Sequence, residues 1–334
     1  MDNKKMWAVF MMLSHNMWWT KYNSLKEGGF CEDSYHGVLE EMSQKGFNTV
    51  VLDVGDGVKY NSHPEISLPD AWDRKKVSEE IKRAADLGIK LIPKLNFSTT
   101  HDAWLGEYER MISTKIYYNL CRDLISELYE IFEGPEYIHL GMDEETEYNG
   151  HSLDYIVLRK RELIWHDLNF YFDCVRDAGA TPWIWADYLF DYPQEFRAHI
   201  NPEKLLLSPW QYASMYEEHF TPIENNQRDI DYYWNGRYKG CGFKYIEDEP
   251  LCRKYREESI PGMIDGYSYV PTVSNNLKNK YNTLDTLRWF KEKGIDDKLV
   301  GFMTAPWKMV TDRKEHTICM DYMVEAREKY YPGR

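Results

Sequence analysis

Hydrophobic and polar positions follow one recurring unit along the chain: an amphipathic helix, a glycine, and then a short apolar strand. The segment KKVSEEIKRAADLG places Val77, Ile81 and Ala84 at helical spacing, and Gly88 suits the left-handed position that ends a helix. The apolar strand IKLIPKL follows at once. Continuous apolar strands separated by helices are typical of a parallel sheet covered on both faces, so the unit indicates an α/β fold.

The unit recurs often enough to build a closed barrel. We identify eight strand candidates: WAVFMML, FNTVVLD, IKLIPKL, EYIHLGMD, ATPWIWAD, LLLSPW, GYSYVP and KLVGFMTAPW. Eight is the number that a (β/α)8 barrel needs, so we predict a single-domain TIM barrel over residues 1–334. Residues 211–263 have no clear period, and we interpret them as an insertion between strands six and seven. A doubly wound open sheet is the alternative, but no glycine-rich phosphate loop follows the first strand.

Composition and charge narrow the class of partner. The chain has 334 residues, 43% of them hydrophobic, which is sufficient for one large core. Its formal net charge of −14 argues against nucleic acid or an anionic membrane as a partner, because both require clustered Lys and Arg. A neutral or cationic small ligand fits this charge better.

Targeting signals and cysteines suggest a location. The short apolar run at 6–13 is not followed by a small-residue cleavage site, and no segment is long enough to span a bilayer. The six cysteines include no C-x-x-C pair, a pattern typical of reduced thiols. We therefore expect a cytoplasmic protein.

Acidic residues and tryptophans follow several of the predicted strands. In a barrel the loops after the strands build the site, because the carboxyl ends meet at one face. Indole faces stack on sugar rings and carboxylates bind hydroxyls, so this set predicts a sugar site. A core position is the alternative for any single tryptophan. The residues concerned are Asp53, Asp56, Asn96, His101, Asp102, Asp143, Glu144, Trp185, Asp187, Trp210 and Trp307.

The stretch YIHLGMDEETEYNG places three acids in a row after the fourth strand. Strict alternation puts Asp143 and Glu144 on opposite faces, so they share a pocket only if the backbone turns, which Gly141 permits. A glutamate beside an ionised aspartate in a partly desolvated cleft has a raised pKa, which suits a general acid. The alternative is that both are solvated acids, the role that we assign to Glu145 and Glu147.

The run H-L-G-M-D-E at 139–144 resembles the H-x-G-G-D-E signature of family 20 glycoside hydrolases, the β-N-acetylhexosaminidases, with Met142 in place of the second glycine. FNTVVLDVGDGVKYNSHPEI resembles the family's second-strand segment, and LGIKLIPKLNFSTTHDAW resembles its I-P-E-x-D-x-P-G-H-x-x-A segment. The likeness extends in order from about residue 30 to residue 307. It agrees with the predicted barrel, which is the family's fold.

The resemblance implies a retaining, substrate-assisted mechanism on β-linked GlcNAc or GalNAc. The 2-acetamido oxygen of the sugar attacks C1, so neither a carboxylate nucleophile nor a cofactor is needed. Asp143 would hold the acetamido N–H, and Glu144 would protonate the leaving oxygen and later activate water. Asp56 and His101 would support the acid. His139 is expected to face away, as a buried, hydrogen-bonded strand residue.

The resemblance also implies an acetamido pocket. Trp185, Trp210 and Trp307 fall where the family's pocket tryptophans lie, with Asp187 nearby. A tyrosine that hydrogen-bonds the acetamido oxygen is expected after the seventh strand. We select Tyr269, with Tyr267 and Tyr233 as alternatives.

Several positions depart from the family pattern. The first strand lacks the arginine that grips sugar hydroxyls, and His15 or Asn16 stands there. PWKM replaces W-x-E, which puts Met309 in the place of an acid, and Lys94 replaces the glutamate of I-P-E. We also expect the family's extra N-terminal α/β domain to be absent. The half of the site that reads O3, O4 and O6 is thus altered, and the sugar preference stays open.

Two other functions fit the same residues. One is a glycosidase with a conventional carboxylate nucleophile, either Asp187 or Asp312, opposite Glu144. The other is a catalytically silent sugar-binding barrel, because of the missing arginine and Met142. No spacing such as H-x-x-x-H marks a metal site, so we expect neither a metal nor a cofactor. The expected partner in each case is a small carbohydrate or glycoconjugate.

Overall fold

The computed structural model describes residues 5–15, 22–150, 153–210, 212, 216, 219, 266–275, 280–295 and 297–333. The predicted insertion at 211–263 lies outside the described residues, apart from 212, 216 and 219. Asn16 and Tyr233 also lie outside them.

The described strands form one parallel sheet. In chain order they are β1 (Met6–Met12), β2 (Thr49–Asp53), β3 (Lys90–Lys94), β4 (Tyr137–His139), β5 (Thr181–Trp185), β6 (Leu206–Ser208), β7 (Ser268–Tyr269), β8 (Thr272–Val273) and β9 (Gly301–Thr304). Their order in the sheet is β7-β6-β5-β4-β3-β2-β1-β9-β8. Neighbours in the sheet are thus neighbours in the chain, as a barrel requires.

The short segments β7 and β8 act as one strand that closes the barrel. Only Val270 and Pro271 separate them. On one side, Val270 donates its amide to the carbonyl of Leu207 in β6 at 2.8 Å. On the other, Met303 of β9 donates its amide to the carbonyl of Pro271 at 2.9 Å. The sheet therefore forms a ring of eight strands, which confirms the predicted (β/α)8 barrel and excludes the open doubly wound sheet.

Helices cover the outside of the barrel. The helix α2 begins where Asp73 accepts a hydrogen bond from the amide of Lys76 at 2.8 Å, and Gly88 follows its end with a φ of 74°. Among the described residues, no helix is both long enough and apolar enough to cross a bilayer. The helices in the described residues are α1 (Glu32–Gln44), α2 (Arg74–Asp86), α3 (Lys115–Ile131), α4 (Glu147–Gly150), α5 (Glu162–Ala178), α6 (Asp187–Asp191), α7 (Pro193–His199), α8 (Tyr281–Lys293) and α9 (Lys314–Tyr330).

The strands bury side chains on both faces. The outward face packs against the helices, and the inward face fills the barrel with Phe10, Trp183, Trp185 and smaller apolar side chains. A charged pair lies among them, because the ammonium of Lys94 bonds the carboxylate of Asp53 and both side chains are buried. The Lys94 Nζ also lies 5.6 Å from the centre of the Phe10 ring. The positive charge of the lysine that replaces the family's glutamate is therefore balanced by the carboxylate of Asp53 inside the barrel.

Candidate active site

The backbone turns sharply after β4. Gly141, Met142 and Glu144 all have left-handed φ values, of 71°, 68° and 58°. This departure from strand geometry brings the carboxylates of Asp143 and Glu144 to one imidazole. The Nε2 of His101 lies 3.8 Å from Asp143 Oδ2 and 3.7 Å from Glu144 Oε2. The three residues, all predicted as members of the site, thus form one cluster.

Asn96 holds this turn from the end of β3. Its Nδ2 donates to Asp143 Oδ1 at 2.8 Å, and its Oδ1 accepts the amide of Met142 at 3.2 Å. A Cβ at position 141 would overlap the Asn96 side chain. Glycine is therefore needed here for space as well as for its φ. The sequence marked Asn96 only as a polar strand-end residue.

Met142 stands where the family signature has its second glycine. A left-handed φ costs a bulky side chain on the order of 1–3 kcal/mol. The Met142 side chain is fully buried and belongs to the outer hydrophobic core, as do Leu140 and Ile138. Burial of a methionine stabilises by roughly 1.5–3 kcal/mol, which is enough to offset this strain. Packing thus explains how methionine is kept in a left-handed conformation at this turn.

Asp187 joins the carboxylate cluster from the end of β5. Its Oδ1 accepts the amide of Glu144 at 3.2 Å, and its Oδ2 accepts the indole N–H of Trp210 at 2.8 Å. Burial, and secondly the charge of Asp143, raise the pKa of Asp187 well above its usual range. Asp187 therefore resists ionisation while it orients both the acid loop and Trp210.

The three predicted tryptophans lie together at the barrel mouth. The ring centres of Trp185 and Trp307 are 5.6 Å apart. Trp210 stacks on Tyr212 at 5.1 Å, and Tyr212 lies 6.3 Å from Trp307. Trp185 is buried in the barrel core, whereas Trp210 and Trp307 are half-buried. The sequence did not mark Tyr212, because it falls inside the region interpreted as an insertion.

Two of these indoles have an unused donor. Within the described part of the chain, the buried Nε1 atoms of Trp185 and Trp307 have no hydrogen-bond partner. A buried N–H without an acceptor costs roughly 1–3 kcal/mol. Both groups are therefore donors that a bound ligand could satisfy.

Asp56 lies in a short 3-10 turn after β2, at the edge of the mouth. Its carboxylate accepts a hydrogen bond from the hydroxyl of Ser14, which follows β1. His101 meets the hydroxyl of Thr100 through Nδ1 at 2.9 Å. The pairing of Asp56 with His101 stays a prediction.

Tyr269 points away from the mouth. Its ring packs 5.5 Å from Phe290 of α8, and its hydroxyl donates to the carbonyl of Ile295. The next residue, Val270, faces the barrel interior instead. The choice of Tyr269 as acetamide ligand was therefore wrong, because the alternation of side chains along the strand places Tyr269 on the outer face of the barrel. Tyr267 is also committed elsewhere, since its hydroxyl donates to Ile200 at 3.0 Å.

Glu145 is not a surface acid, contrary to the prediction. It forms a bidentate ion pair with Arg159, with N–O distances of 2.6 Å and 3.0 Å. The Glu145 side chain is 1% exposed and the Arg159 side chain 0%. Arg159 also donates to the carbonyl of Phe97 at 3.0 Å and lies 3.3 Å from Asp167 of α5. Arg159 therefore ties the acid loop to the β3 loop and to α5. Its sequence context, LRKRE, is typical of a charged surface.

His139 is buried and hydrogen-bonded, as predicted, but it faces into the barrel. Its Nδ1 accepts the amide of Gly141 at 3.0 Å, and its ring lies 4.7 Å from that of Trp185. Burial, and secondly the charge of Lys94, hold its pKa well below the usual range. His139 therefore supports the turn as a neutral ring.

The same cluster has the donor types of a metal site. Single ligand atoms of His101, Asp143 and Glu144 all lie within 4.8 Å of one another. Such a histidine–carboxylate set suits either a divalent ion or proton transfer. The prediction that no metal binds stays a prediction.

Solved structures that share this fold include family 20 enzymes. The chain superposes on a β-N-acetylhexosaminidase from Bacteroides fragilis NCTC 9343 with a TM-score of 0.57 and 13% identity, covering 97% of this chain and 65% of that one. It superposes on the GH20 β-N-acetylhexosaminidase from Streptomyces coelicolor A3(2) with a TM-score of 0.62 and 10% identity, covering 96% and 63%. It superposes on Dispersin B with a TM-score of 0.53 and 13% identity, covering 98% of this chain and 98% of that one.

No protein-family model and no curated protein matches the chain. The chain spans less than two-thirds of the first two structures. At these identities the likeness establishes the fold, a (β/α)8 barrel of the kind that carries family 20 catalytic sites, and function has to be argued from the site.

Proposed function

We propose that this protein is a retaining, β-N-acetylhexosaminidase-like glycoside hydrolase that acts by substrate-assisted catalysis. The observation that carries the proposal is the adjacency of Asp143 and Glu144 at one imidazole, 3.8 Å and 3.7 Å from His101 Nε2. In a two-carboxylate retaining enzyme the acids flank the scissile bond from opposite sides. Adjacent residues on one turn suit different atoms of the same sugar instead.

Each group has a distinct role in this scheme. Asp143 accepts the acetamido N–H, held in place by Asn96. The acetamido oxygen then attacks C1, and the bond to the leaving oxygen breaks as Glu144 donates its proton. Water next attacks C1 of the oxazolinium-like intermediate and gives a proton back to Glu144. The Nε2 of His101 lies within 4 Å of both carboxyl groups, where it can stabilise the negative charge that Glu144 gains when it donates its proton.

The tryptophans form the pocket for the acetamido group. Trp185, Trp210 and Trp307 offer apolar surface for its methyl, and Asp187 fixes Trp210 through the indole N–H. With Tyr269 on the outer face, we assign the hydrogen bond to the acetamido oxygen to the free indole N–H of Trp185 or Trp307.

The alternative with a carboxylate nucleophile fits less well. A nucleophile has to be ionised, but burial and Asp143 raise the pKa of Asp187. Asp312 is exposed and accepts the amide of Lys314 at 2.9 Å in the loop after β9, on the other side of the barrel. Neither residue is therefore well suited to form a glycosyl ester opposite Glu144.

Hydrolysis of aryl β-glycosides tests the proposal. Aryl GlcNAc or GalNAc β-glycosides should be cleaved, and a thiazoline analogue of the cyclised intermediate should inhibit strongly. Glu144→Gln should lower kcat about 10²–10⁴-fold, the usual contribution of a general acid. Asp143→Ala should lower it comparably.

Two outcomes would count against the proposed substrate-assisted hydrolase. Turnover of plain hexosides alone, with indifference to both thiazolines, would point to a conventional nucleophile. Equal background rates in wild type and Glu144→Gln, with measurable sugar binding, would point to a silent sugar-binding barrel. Exposed Glu79→Gln on α2 is the matched control, because it makes the same chemical change far from the mouth.

A further inference from the structure

Three described residues of the predicted insertion connect the barrel mouth to the outer helix α8. They are Tyr212, Tyr216 and His219. The ring of Tyr212 lies at the mouth, where it stacks on Trp210 with ring centres 5.1 Å apart. Tyr216 and His219 instead contact α8. The chain therefore passes from the proposed acetamido pocket to an outer helix over residues 212–219.

The contacts on α8 come from one stripe of side chains. Its members are spaced three or four residues apart, which places them on the same face of the helix. Leu287 and Phe290, on the opposite face, are buried in the hydrophobic core. The stripe therefore presents charged and aromatic groups to Tyr216 and His219. Its residues are Tyr281, Asp285, Arg288 and Glu292.

Asp285 lies at the centre of this contact. Its side chain is fully buried, although a carboxylate is costly to remove from water. Its Oδ1 is hydrogen-bonded to Nδ1 of His219, and its Oδ2 accepts the amide of Tyr216 at 3.3 Å. Both oxygens therefore bind residues of the predicted insertion, and the buried carboxylate would lose these two partners without them.

Ring contacts hold the same two residues on α8. The imidazole of His219 stacks on the ring of Tyr281, with centres 4.2 Å apart and planes 11° from parallel. The guanidinium of Arg288 lies 3.8 Å from the centre of the Tyr216 ring. The hydroxyl of Tyr216 also donates to Glu292 at 2.6 Å. Tyr216 and His219 are therefore each fixed to α8 by more than one contact.

The other end of this stretch is fixed at the mouth. Trp210 forms a parallel β-bridge with Thr272 of β8. Tyr212 follows it closely, and its ring centre lies 6.3 Å from that of Trp307. The four residues from Tyr212 to Tyr216 span at most about 14 Å. The position of Tyr212 is therefore limited by anchors on both sides.

We propose that Asp285 is a positioning residue that sets the acyl-group specificity of the site through Tyr212. It holds Tyr216 and His219 on α8, and this fixes the Tyr212 ring over Trp210, beside the pocket that receives the acetamido methyl. The proposal rests on the proposed function. A fixed wall excludes a larger acyl group, because an extra methylene in a closed pocket forces neighbouring side chains out of their favoured positions.

The test compares the aryl β-glycosides of N-acetyl- and N-propionylglucosamine, or the galactosamine pair if only that sugar is cleaved. The two substrates differ by one methylene, so we expect wild type to prefer the N-acetyl substrate by about tenfold or more in kcat/KM. Asp285→Asn keeps the shape but loses one acceptor oxygen, and should lower this ratio by about threefold or more. A wild type that does not discriminate, or an unchanged ratio in the folded variant, would overturn the proposal.

Two further variants keep the test specific. Asp123→Asn on α3 is the matched control, because it alters another Asp–His contact, 3.2 Å from His63 Nε2, and should leave the ratio unchanged. Tyr216→Phe loses only the hydroxyl bonded to Glu292, so it serves if Asp285→Asn does not fold, and it should also lower the ratio. An equal fall in Asp123→Asn would overturn the specific role of Asp285.

A double-mutant cycle distinguishes positioning from a purely structural role. Residues that do not act on one another have additive effects, whereas linked residues do not. In a Tyr212→Ala background, Asp285→Asn should lower the acyl ratio no further. The losses in urea unfolding should also depart from additivity, by about threefold or more in the unfolding equilibrium constant. Additive losses and independent changes in the ratio would reject the link between the two residues.

Binding separates failure of this proposal from failure of the proposed function. If no glycoside is cleaved, calorimetric titration of wild type and Asp285→Asn with the same pair measures the acyl preference as a ratio of Kd values. A preference of about tenfold in wild type that falls in Asp285→Asn would support the role of Asp285 without hydrolysis. Equal ratios in the two proteins, or undetectable binding, would reject it.

Discussion

The side chain of Asn96 occupies the space into which a Cβ on Gly141 would point, and from there it donates to Asp143. One residue at the end of β3 thus sets both the identity of a residue after β4 and the position of a carboxylate.

Gly141→Ala should therefore damage stability and the site together. The left-handed φ of 71° costs an alanine about 1–2 kcal/mol, and displacement of Asn96 breaks bonds worth a further ~1–3 kcal/mol. Urea unfolding should show a loss of about 2–5 kcal/mol. Gly88→Ala is the matched control, because its φ is 74° but a Cβ there meets nothing within 4 Å. Equal losses in the two variants would contradict the role of Asn96.

Met142 allows a test of strain against packing. Met142→Ala should lower the free energy of unfolding by roughly 2–5 kcal/mol, because a fully buried side chain is lost. Met142→Gly removes the same side chain but relieves the left-handed φ of 68°, so it should be about 1 kcal/mol more stable than the alanine variant. Urea denaturation measures both. An alanine variant as stable as the glycine variant would mean that the backbone is unstrained.

Arg159→Met should be strongly destabilising. It leaves Glu145 and Asp167 buried without their cation, and removal of one partner from a buried pair costs about 3–5 kcal/mol. Arg176→Met is the control, because its partner Asp173 is exposed and such pairs contribute about 0–1 kcal/mol. Urea unfolding compares the two variants. Similar small losses of unfolding free energy in the two variants would show that the ion pairs of Arg159 are not needed for stability.

The raised pKa of Asp187 predicts that the free energy of unfolding depends on pH. Its pKa is raised in the folded protein, so the unfolded chain ionises first, near the ordinary value of about 3.9. Above that pH the folded state binds more protons, and stability falls until the raised pKa is passed. Asp187→Asn removes this effect, so its stability relative to wild type should increase as the pH rises from about 4 toward neutrality. A pH-independent difference in unfolding free energy would contradict the raised pKa.

Much of the fold could be predicted from local pattern. Each of the eight strand candidates overlaps a strand of the barrel, because apolar runs between amphipathic helices have few other ways to be buried. The strand ends also marked most of the site, since a barrel gathers the loops after its strands at one face. Asp143, Glu144 and His101 were marked by their strand ends and selected by the resemblance to family 20 glycoside hydrolases, and the structure brings them together.

The errors have a different physical origin. Tyr269 was placed in the site by the resemblance, which implies a tyrosine near the end of the seventh strand. The side on which a strand residue lies depends on register, and a shift by one residue reverses it. Glu145 was interpreted as solvated, because its partner Arg159 stands fourteen residues later in an irregular segment that no periodicity reveals.

The sequence by itself determined that this protein is an eight-strand barrel with acids and tryptophans at the strand ends, because hydrophobic period and glycine position act locally. Only the tertiary structure decided which of those groups meet. Asn96 reaches Asp143 from another strand, and Asp187 accepts a hydrogen bond from the amide of Glu144. These contacts depend on how distant strands are registered against one another, and no short segment of the chain encodes that.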